Sequence, residues 1–253
     1  MRIAISISGQ PRNYKQGYEE LKKWFLDKYK CDVFIHTWYD ISNPLGGGHN
    51  FTQTKQYNFV EEDYENILKL YKPKNYIFQK PITFDSTGII TKFGYKLNSI
   101  LSAFYSIQSS YQLIEEVNEH YDYVIRTRFD LQFTDYISPE CIFLDDISKL
   151  NPNELSFFSY ENNDPSIRPC EIDDLFGVGS MEIMKTYSET FSWILHYLYL
   201  GNRYKKWIDE IIYVPQPEYI IPESFLKWHM IHNKIILNPV LSKSDFWAPH
   251  ILR

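Results

Sequence analysis

Ile3, Ile5 and Ile7 alternate with small or polar neighbours from Arg2 to Ser8, the period-two pattern of a strand; Gly9 and Pro11 then end the run before Arg12. Tyr14, Tyr18, Leu21, Phe25 and Tyr29 recur at helical spacing with lysines and glutamates between them, which predicts an amphipathic helix over 14–29. The apolar run CDVFIHTW predicts a second strand over 31–38. Strand, helix, strand is the opening of a parallel sheet. Residues 42–58 hold Pro44 and three glycines at 46–48 without periodicity, and read as a loop, either a plain surface connection or a cover over a substrate. A short helix over 60–71, a short strand over 76–78 and a connection over 81–94 follow.

The longest helix is predicted from Lys96 to about Glu119, with Leu97, Ile100, Leu101, Phe104, Ile107, Tyr111 and Ile114 on one face. Asn98, Ser102, Tyr105 and Ser109 share another face. Serines are indifferent helix formers, so this row implies close approach of either a ligand or a neighbouring helix. The helix leads into YDYVIRTRFDLQF, residues 121–133, whose apolar start suits the centre of a sheet. Beyond it the pattern predicts a strand over 155–158, a helix capped by Ser180 and ended by Gly201-Asn202, a helix over 222–233 and a last strand over 234–240. The stretch WILHYLYLGNRYKKW fits either a core helix or a segment resting on an anionic membrane surface. With no internal repeat and no linker, the chain reads as one α/β domain over 1–253 with a mixed C-terminal portion.

Polar chemistry gathers where these strands end. Arg12 follows the first strand, His36 and Trp38 end the second, and Arg126, Arg128 and Asp130 end the third. In open α/β sheets that edge is where ligands bind. Buried guanidinium groups need partners, so Asp130 either makes a structural pair with an arginine or shares a site that takes a diphosphate. His36 is either a structural histidine or part of the rim. Asp173 and Asp174 precede an apolar run with two glycines, and Glu223 stands at the start of the 222–233 helix, where the helix dipole favours an acid.

Composition narrows the partners. Lys plus Arg number 26 against 32 Asp plus Glu, a net charge of −6, which argues against a nucleic-acid binder. Twelve acidic and three basic residues between Asp135 and Thr190 supply most of that imbalance, as a solvated acidic face would. Cys31, Cys141 and Cys170 lie far apart and are odd in number, so neither a disulfide framework nor a zinc site is expected. The start, MRIAISIS, is too short and polar for a signal segment, and no apolar run approaches the ~20 residues of a membrane span. A cytoplasmic protein with at most peripheral membrane contact is expected.

The segments SGQPRNY, CDVFIHTW, YDYVIRTRFDLQF, DDLFGVGS and PESFLKWHMIHN, in this order, resemble a group of bacterial and viral surface-polysaccharide glycosyltransferases with a GT-A-like fold, from residue 6 to about 240. The resemblance implies a Rossmann-like, mostly parallel central sheet flanked by helices, with residues 1–133 as the nucleotide-sugar-binding half and 134–253 as the acceptor-side half. It implies transfer of a sugar from a nucleoside diphosphate donor to a glycan or lipid-linked glycan. Ser8, Gly9, Gln10, Arg12, Arg126, Arg128 and Asp130 would then bind the donor, and His36, Trp38 and Glu223 the acceptor. Enzymes of this kind hold Mn²⁺ or Mg²⁺ on a DxD motif; the matching position here reads Asp130-Leu131-Gln132, so Asp130 is the one candidate metal ligand and the arginines are the alternative phosphate holders. Inverting transfer needs a carboxylate base, for which Asp174 stands first and Asp173 second. Two rivals remain open, a nucleotidyltransferase that makes sugar nucleotides and a non-catalytic glycan-binding protein that would use the high aromatic content.

Overall fold

The computed structural model describes residues 1–42, 45–46, 56–84, 97–133, 146–159, 172, 174–199, 222–241 and 250–251. The first half runs β1 (Arg2–Gly9), α1 (Tyr14–Leu21), β2 (Lys30–Trp38), β3 (Leu45–Gly46), β4 (Gln56–Tyr57), α2 (Glu61–Tyr71), β5 (Asn75–Gln79), α3 (Leu97–Glu116), β6 (Tyr123–Thr127) and β7 (Leu131–Gln132). The second half runs β8 (Glu154–Ser159), β9 (Gly177–Gly179), α4 (Met181–Ser188), α5 (Thr190–Tyr199), α6 (Pro222–His232), β10 (Ile236–Leu241) and β11 (His250–Ile251). The helix predicted over 14–29 stops being α-helical at Leu21 and continues as a π-helical stretch, Lys22–Leu26.

The fold is α/β, with a seven-stranded, mostly parallel mixed sheet in the order β10-β8-β9-β6-β1-β2-β5. Among the described strands of this sheet, only β9 runs against its neighbours, β6 and β8. From β1 the chain lays down β2 and β5 on one side and then returns to place β6 on the other. The strand order therefore reverses between β1 and β6, the switch point where such sheets open a crevice beyond their carboxyl ends. Strands from before and after residue 133 share this one sheet.

Alternation along β1 sorts the two faces. Ile3, Ile5 and Ile7 join Tyr14, Leu21 and Phe25 around α1, with Tyr64 and Ile67 of α2. Ala4 and Phe34 face α3 and the C-terminal helices, in a core with Phe104, Tyr187, Ile194 and Trp228. The hydroxyls that meet the sheet belong to Ser106 and Ser110, outside the predicted row: Ser110 Oγ and Ser6 Oγ are hydrogen-bonded at 2.7 Å, and Ser106 Oγ lies 2.7 Å from His36 Nδ1, while Tyr105 of that row meets Phe191 of the neighbouring helix α5 with ring centroids 5.3 Å apart. Small side chains let α3 settle close to β1 and β2, and the buried Ser106 and Ser110 hydroxyls find partners there.

Further elements depart from the sequence pattern. A single helix after Ser180 is instead α4 and α5, broken at Glu189. Ser188 Oγ donates to Lys185 O and Thr190 Oγ1 to Tyr187 O, both at 2.8 Å, so side-chain hydroxyls take up carbonyls at the break. The predicted cap holds, with Ser180 Oγ accepting from Ile183 N. The glycines of GVG form β9, a strand the pattern did not indicate. A Cβ on Gly179 would lie 2.8 Å from Ile183 Cγ2, so that something must shift, and one on Gly177 3.2 Å from the Tyr187 ring, so the glycines let this strand pass close under α4. Pro239 in β10 is tolerated because β10 is an edge strand.

At the opposite end of the sheet a charge network ties together the starts of four neighbouring strands. Asp32 Oδ2 accepts from Arg2 Nη2 at 2.6 Å, Lys74 Nζ at 3.1 Å and Tyr121 Oη at 2.8 Å, while Glu119 pairs with Lys74 at 2.6 Å and with Arg2. Burial would raise the Asp32 pKa, but hydrogen bonds from Tyr121, Lys74 and Arg2 outweigh it and hold the group below its ordinary value. Hydrogen bonds from Lys74 and Arg2 likewise lower Glu119. Carboxylates depressed on folding stabilise the fold above their unfolded pKa, about 4, and that contribution fades as the pH falls through the folded values. Thermal melts across acid pH are expected to show Tm falling below about pH 4, with a shallower fall for Asp32→Asn. Equal acid slopes in the two proteins would remove this network from the account.

Candidate functional site

The rim at the switch point is built from three chain segments. The first is the end of β1, where Gly9 takes φ 108°, a conformation glycine adopts without strain, and turns the chain into Gln10-Pro11-Arg12. This turn is pinned from both sides: Gly9 N donates to Ser106 Oγ at 2.9 Å and Gly9 O accepts from Thr37 Oγ1 at 2.7 Å. The second is the end of β6, which delivers Arg126, Arg128 and Asp130. The third is the start of β9. Because β9 is antiparallel and pairs Gly177 with Arg126, it enters the sheet from the rim and brings the Asp174-Leu175 turn onto the same edge.

Arg128 and Asp130 form a two-pronged pair, with Nε donating to Oδ1 and Nη2 to Oδ2, both at 2.8 Å. Arg12 Nε lies 3.6 Å from Asp130 Oδ2. The carboxylate side chain is 0% exposed, whereas Arg12 and Arg128 are 19% and 18% exposed, so the two cations reach solvent and the anion lies behind them. Arg126 is buried and its Nη1 donates to Leu175 O, which fastens the β9 turn to the end of β6. Tyr187 Oη donates to Asp174 O at 3.4 Å, a second anchor for that turn.

Two buried hydroxyls at this edge, Ser8 Oγ and Thr127 Oγ1, have no hydrogen-bond partner among the described residues. An unsatisfied buried hydroxyl costs about 1–3 kcal/mol, so two on adjacent strand ends mark a place where the fold has kept donors without internal use for them. Thr127 carried no signal in the sequence beyond lying between two arginines.

His36 and Trp38 lie inside the layer between the sheet and α3. His36 is fully buried, packs edge-on against Trp38 and Tyr105, and Trp38 stacks on Tyr105 with ring centroids 5.7 Å apart. Burial pushes the His36 pKa down to about 4, with Gln79 close enough to oppose it in part, so the ring is neutral at neutral pH. As placed, His36 reaches Gly9 through Ser106 and supports the β1 turn from behind. Glu223 sits in the first turn of α6, which leads back into β10 and so starts toward the rim. Asp173 lies outside the described residues, as do Cys141, Cys170 and the glycines at 47–48. The Cys31 thiol is pushed up to about 12, by burial and then by Asp32, so it is not a reactive group.

Asp130 does not fit a divalent cation as it stands. Both its oxygens are engaged by Arg128, it has no exposed surface, and the chain beyond it turns away, with Leu131 buried beside α1 and Gln132 paired in β7 with β11. No helix among the described residues is long and apolar enough to cross a membrane. No family model matches the chain, and no curated protein matches it either.

Proposed function

We propose that this chain is a glycosyltransferase of GT-A-like type that moves a sugar from a nucleoside diphosphate donor to a glycan or lipid-linked glycan acceptor. The single observation that carries this reading is the convergence at the β1/β6 switch point of Arg12, Arg126 and Arg128 with the Asp174 turn of an antiparallel strand. Fixed cations at a crevice suit a leaving diphosphate, and a carboxylate on the same edge suits an acceptor hydroxyl.

In this account the diphosphate lies against Arg128 and Arg12, whose charge is in position before reaction. The bond between the anomeric carbon and the diphosphate oxygen breaks, and its electron pair leaves on the nucleoside diphosphate. The acceptor oxygen forms the new bond to that carbon, and its proton passes to Asp174, so the sugar's configuration inverts. Glu223 orients the acceptor, and His36 with Trp38 holds the β1 turn rigid.

Arg128→Ala is expected to weaken binding of a nucleoside diphosphate by about 1.5–3 kcal/mol, roughly ten- to a hundredfold, and to leave binding of the parent nucleoside nearly unchanged. Calorimetric titration of both ligands checks this. Equal loss of the two would count against a phosphate role for Arg128. A nucleotidyltransferase would instead respond to nucleoside triphosphates, and a lectin to no nucleotide.

A further inference from the structure

We infer that Asp130, at the position where the resemblance expects a metal-holding carboxylate, is a positioning residue that locks Arg128 and Arg12 into one cationic fork, so that the diphosphate is bound without a divalent cation. This rests on the transferase reading of the same site.

The geometry runs against a metal and toward a brace. A cation on Asp130 would have to displace both arms of Arg128, and those arms already meet the two oxygens at 2.8 Å in the planar arrangement that suits a guanidinium and a carboxylate. The carboxylate is behind the arginines, away from solvent, while each arginine keeps about a fifth of its surface open. The segment that carries it has no room to swing. The Phe129 ring is buried against Tyr71, and the Phe129 carbonyl is pressed onto Gly17 so closely that a Cβ there would come within 1.7 Å of it. On the far side Leu131 and Phe133 are buried as well, and Phe133 N donates to Glu20 at 2.9 Å.

A free arginine side chain must give up rotamer freedom when it grips a phosphate. Asp130 imposes that order beforehand on Arg128, and its second oxygen draws Arg12 to the same point from another strand end.

The test is calorimetric titration of inorganic pyrophosphate and of nucleoside diphosphates into the full chain, in EDTA and in Mn²⁺. The wild type is expected to bind pyrophosphate equally in both. Asp130→Asn is expected to lower pyrophosphate affinity about tenfold in both, since the brace and not a metal is lost. Arg128→Lys, which keeps the charge and removes the fork, is expected to show a similar loss and decides the matter if Asp130→Asn fails to fold. Wild-type binding that vanishes in EDTA and returns with Mn²⁺ overturns the inference, as does undiminished binding by Asp130→Asn, or no pyrophosphate binding under either condition. Pyrophosphate binding with no gain from an attached nucleoside would leave the fork standing and sink the transferase reading.

Discussion

Asp174→Asn is expected to lower turnover by about 10²–10⁴-fold while donor affinity stays at the wild-type value. Asparagine matches aspartate in size but cannot take the acceptor's proton. The turn that carries residue 174 is held through backbone groups, Asp174 O by Tyr187 and Leu175 O by Arg126, so the substitution leaves these anchors in place. Release of nucleoside diphosphate from a sugar donor in the presence of acceptor measures the first quantity, and calorimetry with the product nucleotide measures the second. Normal turnover in the variant would remove Asp174 as base and move the role to Asp173. Loss of both turnover and affinity would point to the turn rather than to proton transfer.

Gly17→Ala is expected to destabilise the fold by about 3 kcal/mol or more, the cost of forcing an added methyl against backbone. In an exposed helix the same change would stabilise by about 1 kcal/mol, because glycine is the poorer helix former. The sign is decided by the Phe129 carbonyl, 1.7 Å from where the Cβ would be. Backbone cannot rotate aside as the end of a flexible side chain can. For a chain of this size the loss corresponds to a fall in Tm of roughly 6–12 °C. Phe129 lies between Arg128 and Asp130, so the variant should also lose diphosphate affinity at temperatures where it remains folded. An unchanged or higher Tm would mean that α1 does not clamp the arginine segment.

That clamp shows what the sequence concealed. Gly17 reads as an ordinary small residue inside an amphipathic pattern, and nothing local to it names Phe129, more than a hundred positions away. The strands β1 and β2 were legible because alternation and apolar runs follow directly from burial, and the helices over 61–71 and 97–116 because of their apolar faces. β9 was not legible, because Gly177 and Gly179 have low strand propensity and are selected by contact with Ile183 and Tyr187. The direction of β9 matters most for the site, since an antiparallel entry is what carries Asp174 to the rim where β1 and β6 end. Charge type was readable at Arg12, Arg128 and Asp130, but its arrangement was not. One carboxylate behind two arginines and one carboxylate facing a ligand have the same sequence. His36 and Trp38 ended a strand as expected, yet the close seating of α3, permitted by Ser106 and Ser110, closes them off from the surface.

The measurement closest to the central claim is a thermal-shift screen of the wild-type chain with UDP, GDP, CDP and dTDP, each beside its parent nucleoside and with EDTA present. A ligand that binds only the folded state must raise its stability, by about 2.7 kcal/mol at a hundredfold excess over Kd. One nucleoside diphosphate is predicted to raise Tm well above its nucleoside, which would name the donor's base and locate the gain in the diphosphate. No shift with any of the four, with or without added metal, would contradict a donor site at the β1/β6 rim.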